Sequence, residues 1–402
     1  MSTMVEKLMG GTAGSIVTFA PDYVLLNDGV SEAAVKEIKV VADPAKVLVI
    51  YDHDVPTGRP EAAGILRQNL RFAGQFGCKY IQAQGIGYQY LLNEVVKPGQ
   101  IIIGGGTHGG IFGAQGALGL NVSIPELARC VETGRYSTVV PRTVYVNLTG
   151  QLPEGASVMD AAFTLLAGAL QEVEGQAVEI YAPQLDKAQQ AVLCSMAGLT
   201  GAAAVLMTGE LPAPAVLAAA PNAATSAAAK GAGAESPAAA PQVRSLDLSR
   251  VKPMVMHPCG ERKEQGTARI TPLAELKGTE FQAGQVGGYT GGTLQALRRA
   301  ADFLAGKKLA RGFRLTICPA TSRDYLQALD EGLITRFIDY GAQISAAGDH
   351  SVVVQGAGAM GHGEKLLTTG LYTFSGAMGC SDAQVYAASV EAVLAASVTK
   401  RI

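Results

Sequence analysis

The sequence predicts an α/β protein with several domains, built on mixed and largely parallel sheets that are flanked by helices. Three observations support this prediction. The chain has 402 residues, which is too long for one hydrophobic core. Short apolar runs alternate with amphipathic stretches, as strands and helices alternate around a parallel sheet. A stretch rich in alanine and proline interrupts this alternation after residue 210, as a linker between domains does.

Strands and helices are predicted to alternate through the first third of the chain. VEKLMGGTAG begins with helical spacing, and AAVKEIKVV indicates a second short helix. KVLVIYDHDVP is predicted as a strand that runs into Asp52 and His53, followed by an amphipathic helix over EAAGILRQNLRFAGQFG. CKYIQA and the run 101–103 indicate two more strands, and the second leads into the glycine-rich turn GGGTHGG around His108.

The pattern changes in the rest of the chain. In TVVPRTVYVNLTGQL, Val144, Val146 and Leu148 alternate with polar neighbours, which predicts a strand exposed on one face. VMDAAFTLLAGALQEV indicates a helix. Beyond the linker we expect a helix over GTLQALRRAADFLAGKKLA, a strand over GFRLTICPA, a helix over SRDYLQALDEGLITRFIDYG and a closing helix from about 382 to 397.

These elements predict three domains and one linker. The boundaries are a first domain over 1–141, a second over 142–210, a linker over 211–248 and a third domain over 249–402. The uncharged stretch between Lys187 and Glu210 has the length of a membrane span. Its glutamine, serine, threonine and glycine content favours a buried helix and strand instead.

Composition excludes several classes of partner. A net charge of −2 and the absence of a basic run predict neither nucleic-acid nor membrane binding. The six cysteines occur singly, without a CxxC pair, so neither a zinc site nor a disulfide framework is indicated. A reducing cytoplasm fits this usage, and the N-terminal residues show no secretory leader.

A series of short motifs follows the order found in one known superfamily. DH-x-P, the R-x-FA helix, GIGYQ and PGQIIIGGGTHGGIFGAQGALG are followed by PRTVYVNLTGQLPEGASVMD, VGGYTGGTLQALRRAADFLAGKKLARG and GEKLLTTGLYTFSGAMG. This order resembles the aconitase superfamily, and most closely its isopropylmalate dehydratase large subunits. The resemblance implies a three-domain aconitase-like core and lyase activity. It also implies a separate small subunit, because no fourth, mobile swivel domain is recognised in the chain.

The ligand positions of the family's iron–sulfur cluster are altered. The family binds a [4Fe–4S] cluster through one cysteine in an S-C-T-N turn and two in a G-C-x-x-C turn. Here GGYTGG has Tyr289 at the first position, and GDHSV has Asp349 and Val352 at the paired positions. Valine has no lone pair, and phenolate or carboxylate replaces thiolate poorly in such clusters. We therefore expect no [4Fe–4S] cluster and no other required cofactor.

The positions that contact substrate in the family are altered as well. The segment whose arginines hold substrate carboxylates becomes LYTFSGA, with Tyr372 and Ala377 at those positions. Tyr88 replaces a helix-borne histidine, whereas Thr107 and His108 keep the family's hydroxyl and imidazole. Losing both arginines predicts a more apolar, less cationic pocket for a small, monoanionic organic acid.

The remaining polar groups give the candidate site residues. The predicted catalytic residues are Asp52, His53, His108 and Tyr289. The predicted substrate-binding residues are Thr107, Tyr88, Asp349, His350, Tyr372 and Lys365. In the structural alternative, Asp52 caps the next element, His108 is bonded to a carbonyl and the tyrosines fill the space of a lost cofactor.

Three functions remain open from the sequence. The first is a cluster-free lyase that uses imidazole, carboxylate and phenol groups as acids and bases. The second is a lyase that uses a single divalent metal, held by ligands from the set His53, His108, Asp349 and His350. The third is a non-catalytic regulatory or binding subunit. The expected partners are a small-molecule substrate, a small subunit and a second copy of the chain.

Overall fold

Three large sheets, flanked by helices, follow one another along the chain. The structure is a computed structural model, and it describes residues 2–212 and 242–402. The three sheets have five, four and seven strands, and a two-stranded ribbon accompanies the first. This confirms the predicted fold class. The three-domain boundaries stay a prediction.

The first sheet has five strands, and every neighbouring pair in it is parallel. Its order is β4-β3-β2-β5-β6. The strands are β2 (Tyr23–Asn27), β3 (Val47–Tyr51), β4 (Lys79–Gln82), β5 (Ile101–Gly104) and β6 (Leu118–Asn121). The accompanying helices are α1 (Met4–Met9), α2 (Asp28–Glu37), α3 (Pro60–Phe76), α4 (Gly87–Glu94) and α5 (Ile124–Thr133). An antiparallel ribbon pairs β1 (Ile16–Phe19) with β7 (Tyr136–Val139).

Parallel pairing brings polar residues together at one edge of this sheet. The carboxyl ends of β3, β2 and β5 are adjacent, because β2 pairs with both of the other strands. Asp28 follows β2, Asp52 and His53 follow β3, and the turn leading to His108 follows β5. The buried, β-branched runs of these strands fix their position, so the residues that follow them open into one crevice.

The second sheet has four parallel strands in the order β10-β9-β8-β11. They are β8 (Thr143–Thr149), β9 (Ala177–Tyr181), β10 (Ala204–Met207) and β11 (Gln242–Asp247), with helices α6 (Val158–Ala167) and α7 (Lys187–Ala197). The prediction that β8 is exposed on one face is wrong. Val144, Tyr145 and Val146 are all buried, because β8 lies inside the sheet between β9 and β11.

The predicted linker over 211–248 is wrong at its C-terminal end. Residues Gln242–Asp247 form β11 and pair with β8 along its length. Of the predicted linker, residues 213–241 lie outside the described residues.

The third sheet is mixed and has the order β13-β12-β18-β17-β14-β15-β16. In the described residues β12 runs antiparallel to both of its neighbours, β13 and β18, and the other neighbouring pairs of this sheet are parallel. The strands are β12 (Met254–Met256), β13 (Ile270–Pro272), β14 (Ala283–Val286), β15 (Arg314–Ile317), β16 (Gln343–Ile344), β17 (Lys365–Thr368) and β18 (Gln384–Ala388). The helices are α8 (Gly288–Gly291), α9 (Leu294–Leu304), α10 (Ser322–Asp330), α11 (Leu333–Tyr340) and α12 (Val390–Thr399).

Two helix predictions in this part are wrong. The single helix expected over SRDYLQALDEGLITRFIDYG is divided into α10 and α11, since Gly332 between them has a left-handed φ of 72°. The closing helix was expected from about 382, but β18 comes first and α12 begins at Val390.

The glycine-rich stretch after His108 forms a 3₁₀ helix, Gly109–Gln115, which packs between the first two sheets. A Cβ atom at Gly113 would lie 2.1 Å from the carbonyl oxygen of Val205 in β10, and one at Gly110 would lie 2.7 Å from that of Cys194. The glycines are therefore required by the close approach of backbone to backbone. This contact holds the His108 turn against the second sheet.

None of the helices within residues 2–212 and 242–402 has both the length and the apolar character that crossing a membrane requires.

We predict that Gly113→Ala lowers the free energy of unfolding by about 2 kcal/mol or more, because the added methyl group overlaps the Val205 carbonyl. Chemical denaturation followed by circular dichroism measures the change. The control is Gly74→Ala in α3, where no atom lies within 4 Å of the added Cβ. The free energy of unfolding of that variant should rise by about 0.5–1 kcal/mol. Equal denaturation midpoints for wild type and Gly113→Ala would contradict the packing described.

Candidate active site

A cavity of about 270 Å³ lies at the carboxyl ends of β2, β3 and β5. Asp28, His53 and His108 line it from the first sheet, and Tyr289 and Tyr372 line it from the third-sheet part of the chain. An isolated parallel bridge between His53 and Asp349 joins the two sides. The cavity is therefore assembled from two distant parts of the sequence.

His53 is held by carboxylates on its Nδ1 side. The Nδ1 atom lies 2.8 Å from Asp52 Oδ1 and 3.1 Å from Asp28 Oδ1. The backbone N–H of His53 also donates to Asp28 Oδ2 at 2.9 Å. Burial opposes the charged imidazole, but the two carboxylates outweigh it and hold the pKa of His53 well above its ordinary value. His53 is thus an imidazolium at neutral pH.

The two carboxylates of this cluster differ in their pKa. Burial raises the pKa of Asp52 to about 6, with the charge of Asp28 adding to the shift and His53 opposing it. For Asp28, burial is outweighed by the charge and hydrogen bonds of His53, and its pKa is lowered. Asp52 Oδ2 also accepts the N–H of Gly87 at 2.7 Å, so Asp52 contacts both the start of α4 and His53.

Asp349 lies on the other side of the His53 ring. Its Oδ2 is 3.6 Å from His53 Nε2, and its backbone N–H donates to the carbonyl of Asp52 at 2.8 Å. Its Oδ1 accepts both the backbone N–H and the hydroxyl of Ser351, so Oδ1 is committed and Oδ2 faces His53. The imidazole therefore has carboxylate oxygens near both nitrogens.

His108 has an aromatic environment instead. Its ring stacks on that of Tyr289 with centroids 4.0 Å apart and meets the edge of Tyr372 at 5.8 Å. Nδ1 lies 3.0 Å from the hydroxyl of Ser195, and Nε2 lies 3.3 Å from that of Tyr372. Burial lowers the pKa of His108 to about 4, so this imidazole is neutral where His53 is charged.

The phenol groups complete the wall beside His108. The Tyr372 hydroxyl is 2.9 Å from Thr107 Oγ1, and the Tyr88 hydroxyl donates to the carbonyl of Gly105 at 2.8 Å. Burial raises the pKa of Tyr289 well above its ordinary value, and the charges of Asp349 and Asp52 add to this shift. The Tyr289 phenol therefore keeps its proton and remains a hydrogen-bond donor.

Two predicted substrate-binding residues do not line the cavity. The Nε2 atom of His350 lies 2.9 Å from the carbonyl of Ala346 and 3.1 Å from Ser345 Oγ, which turns the ring away. Lys365 lies in β17, outside the cavity lining. Asp349 contacts His53 whereas the neighbouring His350 contacts Ala346 and Ser345, so the two side chains have different surroundings.

Several lining residues were missed from the sequence. Asn27 is the last residue of the apolar strand YVLLN and Asp28 directly follows it, which is the signal that identified Asp52 and His53 after VLVIY. Arg59 and Arg262 also line the cavity, so it contains two cationic groups that the sequence did not indicate. Arg262 lies over the Tyr372 ring, 5.8 Å from its centroid. Nothing in the sequence near Arg262 indicated this position.

The predicted metal ligands are not brought together as a set. His350 faces away, and His108 is stacked on Tyr289 and meets the edge of Tyr372. In the described part of the chain, the donors at this cavity that lie within 4.8 Å of one another are Asp28, Asp52 and His53. These three already form an ion-paired cluster through His53 Nδ1.

Related proteins place the chain among lyases of the hydratase and dehydratase type. A sequence profile described as the aconitase family (aconitate hydratase) matches residues 3–400. The chain belongs to the aconitase family, which confirms the resemblance seen in the motifs.

Related proteins match over almost their whole length. The chain is 27% identical to the 3-isopropylmalate dehydratase large subunit 2 of Archaeoglobus fulgidus, over 99% of this chain and 97% of that one. It is also 27% identical to the homoaconitase large subunit of Thermus thermophilus, over 98% and 95% respectively. The crystal structure of Thermococcus kodakaraensis aconitase X (holo-form) aligns with a TM-score of 0.53 and 11% identity. That alignment covers 92% of this chain and 89% of that one, and it shows the shared fold.

These comparisons correct the cofactor prediction. The expectation of no [4Fe–4S] cluster is wrong, because the chain belongs to the family of the isopropylmalate dehydratase and homoaconitase large subunits, which use such a cluster. The side chains of the cavity do not fit the cluster in the family's manner. Tyr289, Asp349 and Val352 line it, and none of the six cysteines, all in described residues, does so.

We predict that His108 makes stability depend on pH. Its pKa is about 4 in the folded chain against 6.5 for an ordinary histidine, so between these values the unfolded chain binds more protons. The contribution of His108 to stability is complete above about pH 6.5 and is lost as the pH falls towards 4. Its size is about 3 kcal/mol. In urea denaturation from pH 4 to 7, the free energy of unfolding should depend less steeply on pH in His108→Gln than in wild type.

The matched control for this measurement is Thr107→Val, which changes the neighbouring side chain without adding or removing a titrating group. It should keep the wild-type pH slope. A wild-type slope in His108→Gln would mean that the imidazole is not buried in its neutral form.

Proposed function

We propose that this cavity eliminates water from, or adds it to, a small organic acid with His53, Asp349, His108 and Tyr289 as the working groups. The observation that supports the proposal most directly is the His53 imidazolium, which is held among Asp28, Asp52 and Asp349 at the edge of the cavity. A charged acid beside a carboxylate base is the pair that a dehydration needs.

In the direction of dehydration, Asp349 Oδ2 takes the proton from carbon and His53 Nε2 gives its proton to the leaving hydroxyl. The carbon–oxygen bond breaks, the double bond forms and water leaves. The Asp349 proton then returns to His53 across the 3.6 Å between Oδ2 and Nε2, and the resting protonation states are restored. Asp28 and Asp52 hold the ring in place and are positioning residues for this step.

The wall that contains His108 stabilises negative charge on the substrate. The Tyr289 phenol donates to the carboxylate oxygen on which charge builds as the C–H proton leaves. The neutral His108 contacts the Tyr372 hydroxyl through Nε2 and orients it, and Thr107 contacts the same hydroxyl. These donors are fixed by stacking and hydrogen bonds before substrate arrives.

The charge of the lining favours a substrate with one carboxylate. Arg59 is engaged by Asp54, with its Nε 3.1 Å from Oδ2. Arg262 forms no ion pair with any residue of the described ranges, and its guanidinium is held over the Tyr372 ring. One guanidinium is therefore available for one carboxylate, and a cavity of about 270 Å³ accommodates a small acid.

Because the proposed step removes a proton from carbon and a hydroxyl group, the first experiment tests hydroxy acids as substrates. A panel of small 2-hydroxy and 3-hydroxy acids, with their unsaturated products, is offered to the purified protein and followed by NMR. We expect the monocarboxylates to be turned over in preference to their dicarboxylate analogues.

We predict that His53→Gln and Asp349→Asn each lower kcat by about 10²–10⁴-fold, because each removes one positioned acid or base. His257→Gln is the matched control, since His257 contacts Thr271 outside the cavity and should keep wild-type turnover. Circular dichroism checks that all three variants fold. Wild-type kcat in either cavity variant would refute the assigned step.

A second part of the proposal concerns the partner. The related proteins are named large subunits, and this chain covers 97% and 95% of two of them. We propose that it works with a small subunit, which covers the cavity beside the exposed edge of Arg262 and Val354. The alternative of a non-catalytic subunit gains no support from these relatives, which are named after enzymes.

We predict that co-expression with a small-subunit homologue from the same genome gives a complex in equal stoichiometry, measured by light scattering after gel filtration. Turnover of the hydroxy-acid panel should rise at least about tenfold in the complex. A chain that elutes alone or as a homo-oligomer and is as active as the mixture would reject the partner and leave the cavity assignment in place.

A further inference from the structure

Three side chains with metal-binding atoms meet on the surface of the third-sheet part, outside the cavity. They are His362, Cys380 and Asp382, and their donor atoms all lie within 4.8 Å of one another. His362 Nδ1 is 3.1 Å from Asp382 Oδ1. None of the three lines the cavity. We propose that they form a binding site for a single divalent cation of the zinc type.

The backbone around these residues is fixed by hydrogen bonds between two loops. Met360 donates its N–H to the carbonyl of Met378 at 2.8 Å, and Cys380 donates its own to the carbonyl of Met360 at 3.1 Å. Gly379, with a left-handed φ of 101°, permits this approach, because a Cβ there would lie 2.4 Å from the Met360 carbonyl oxygen. The donors are therefore carried by two loops that are already tied together.

The donor set determines the kind of ion. One thiolate, one imidazole and one carboxylate are ligands that zinc accepts, and a water completes four-coordination. Tetrahedral zinc needs N and O donors about 3.4 Å apart. The 3.1 Å between His362 and Asp382 is close to this value, and the Cys380 sulfur lies within 4.8 Å of a donor atom of each.

Charge and exposure agree with such a site. Among the ion pairs of residues 2–212 and 242–402, Asp382 pairs with His362 and with no lysine or arginine. A thiolate and a carboxylate together neutralise a dication. Cys380 is half-buried against a small apolar cluster, whereas His362 and Asp382 are exposed, so one side is held by the protein and water reaches the other.

The test titrates the full-length protein with Co²⁺, which takes zinc sites and gives a thiolate-to-metal charge-transfer band. Difference spectra against the same preparation without cobalt remove any absorbance already present. We expect the band to saturate at one equivalent and to disappear when one equivalent of Zn²⁺ is added.

Variants assign the ligands. Cys380→Ser should abolish the band, and His362→Gln or Asp382→Asn should weaken Co²⁺ binding by about tenfold or more. The matched control is Cys259→Ser, which removes the other half-buried cysteine and should leave the titration unchanged. No band in the wild type, a band that survives in Cys380→Ser, or its loss in Cys259→Ser would overturn the site. The readout is metal binding, so it does not depend on the proposed lyase step.

Discussion

The shared burial of one imidazolium and its carboxylates organises the whole cavity. His53 stays charged because Asp28 and Asp52 lie on its Nδ1 side, and these two are close only because β2 and β3 are parallel neighbours that end together. A buried ion pair whose partner is removed leaves an unpaired charge at a high cost in free energy. The cluster of His53, Asp28 and Asp52 therefore requires that β2 and β3 end side by side, in addition to any chemical role.

On the opposite wall of the cavity, burial alone keeps a histidine in its neutral form. Among the residues that the structure describes, no carboxylate makes a hydrogen bond to His108, and its ring is enclosed by Tyr289 and Tyr372, so it stays neutral. One cavity thus contains two histidines in different protonation states, separated by environment and not by residue type. The glycine-rich 3₁₀ helix makes this possible, because it lets the His108 turn approach the second sheet closely enough to reach Ser195.

The family motifs contain five residues that line the cavity, His53, Thr107, His108, Tyr289 and Tyr372, and also Asp52, which contacts His53. The roles assigned to these residues stay a prediction. Asp28 could have been found by applying the rule of polar residues after a buried strand to YVLLN as well. Arg262 could not, because it reaches the cavity from a short 3₁₀ helix far along the chain and its position depends on tertiary packing. His350 was misplaced because a sequence pattern names neighbours without saying which of the two faces inward. The helix expected from about 382 failed for a similar reason: the burial of β18 inside the third sheet overrode a local alanine-rich preference for helix.

The bridge between His53 and Asp349 has a further consequence. The proposed acid and base belong to segments almost 300 residues apart, and the backbone bond from Asp349 to Asp52 is what aligns them. Any opening of the cleft between these segments would lengthen the proton's return path and interrupt the cycle. The distance between the proposed acid and base therefore depends on this one backbone contact.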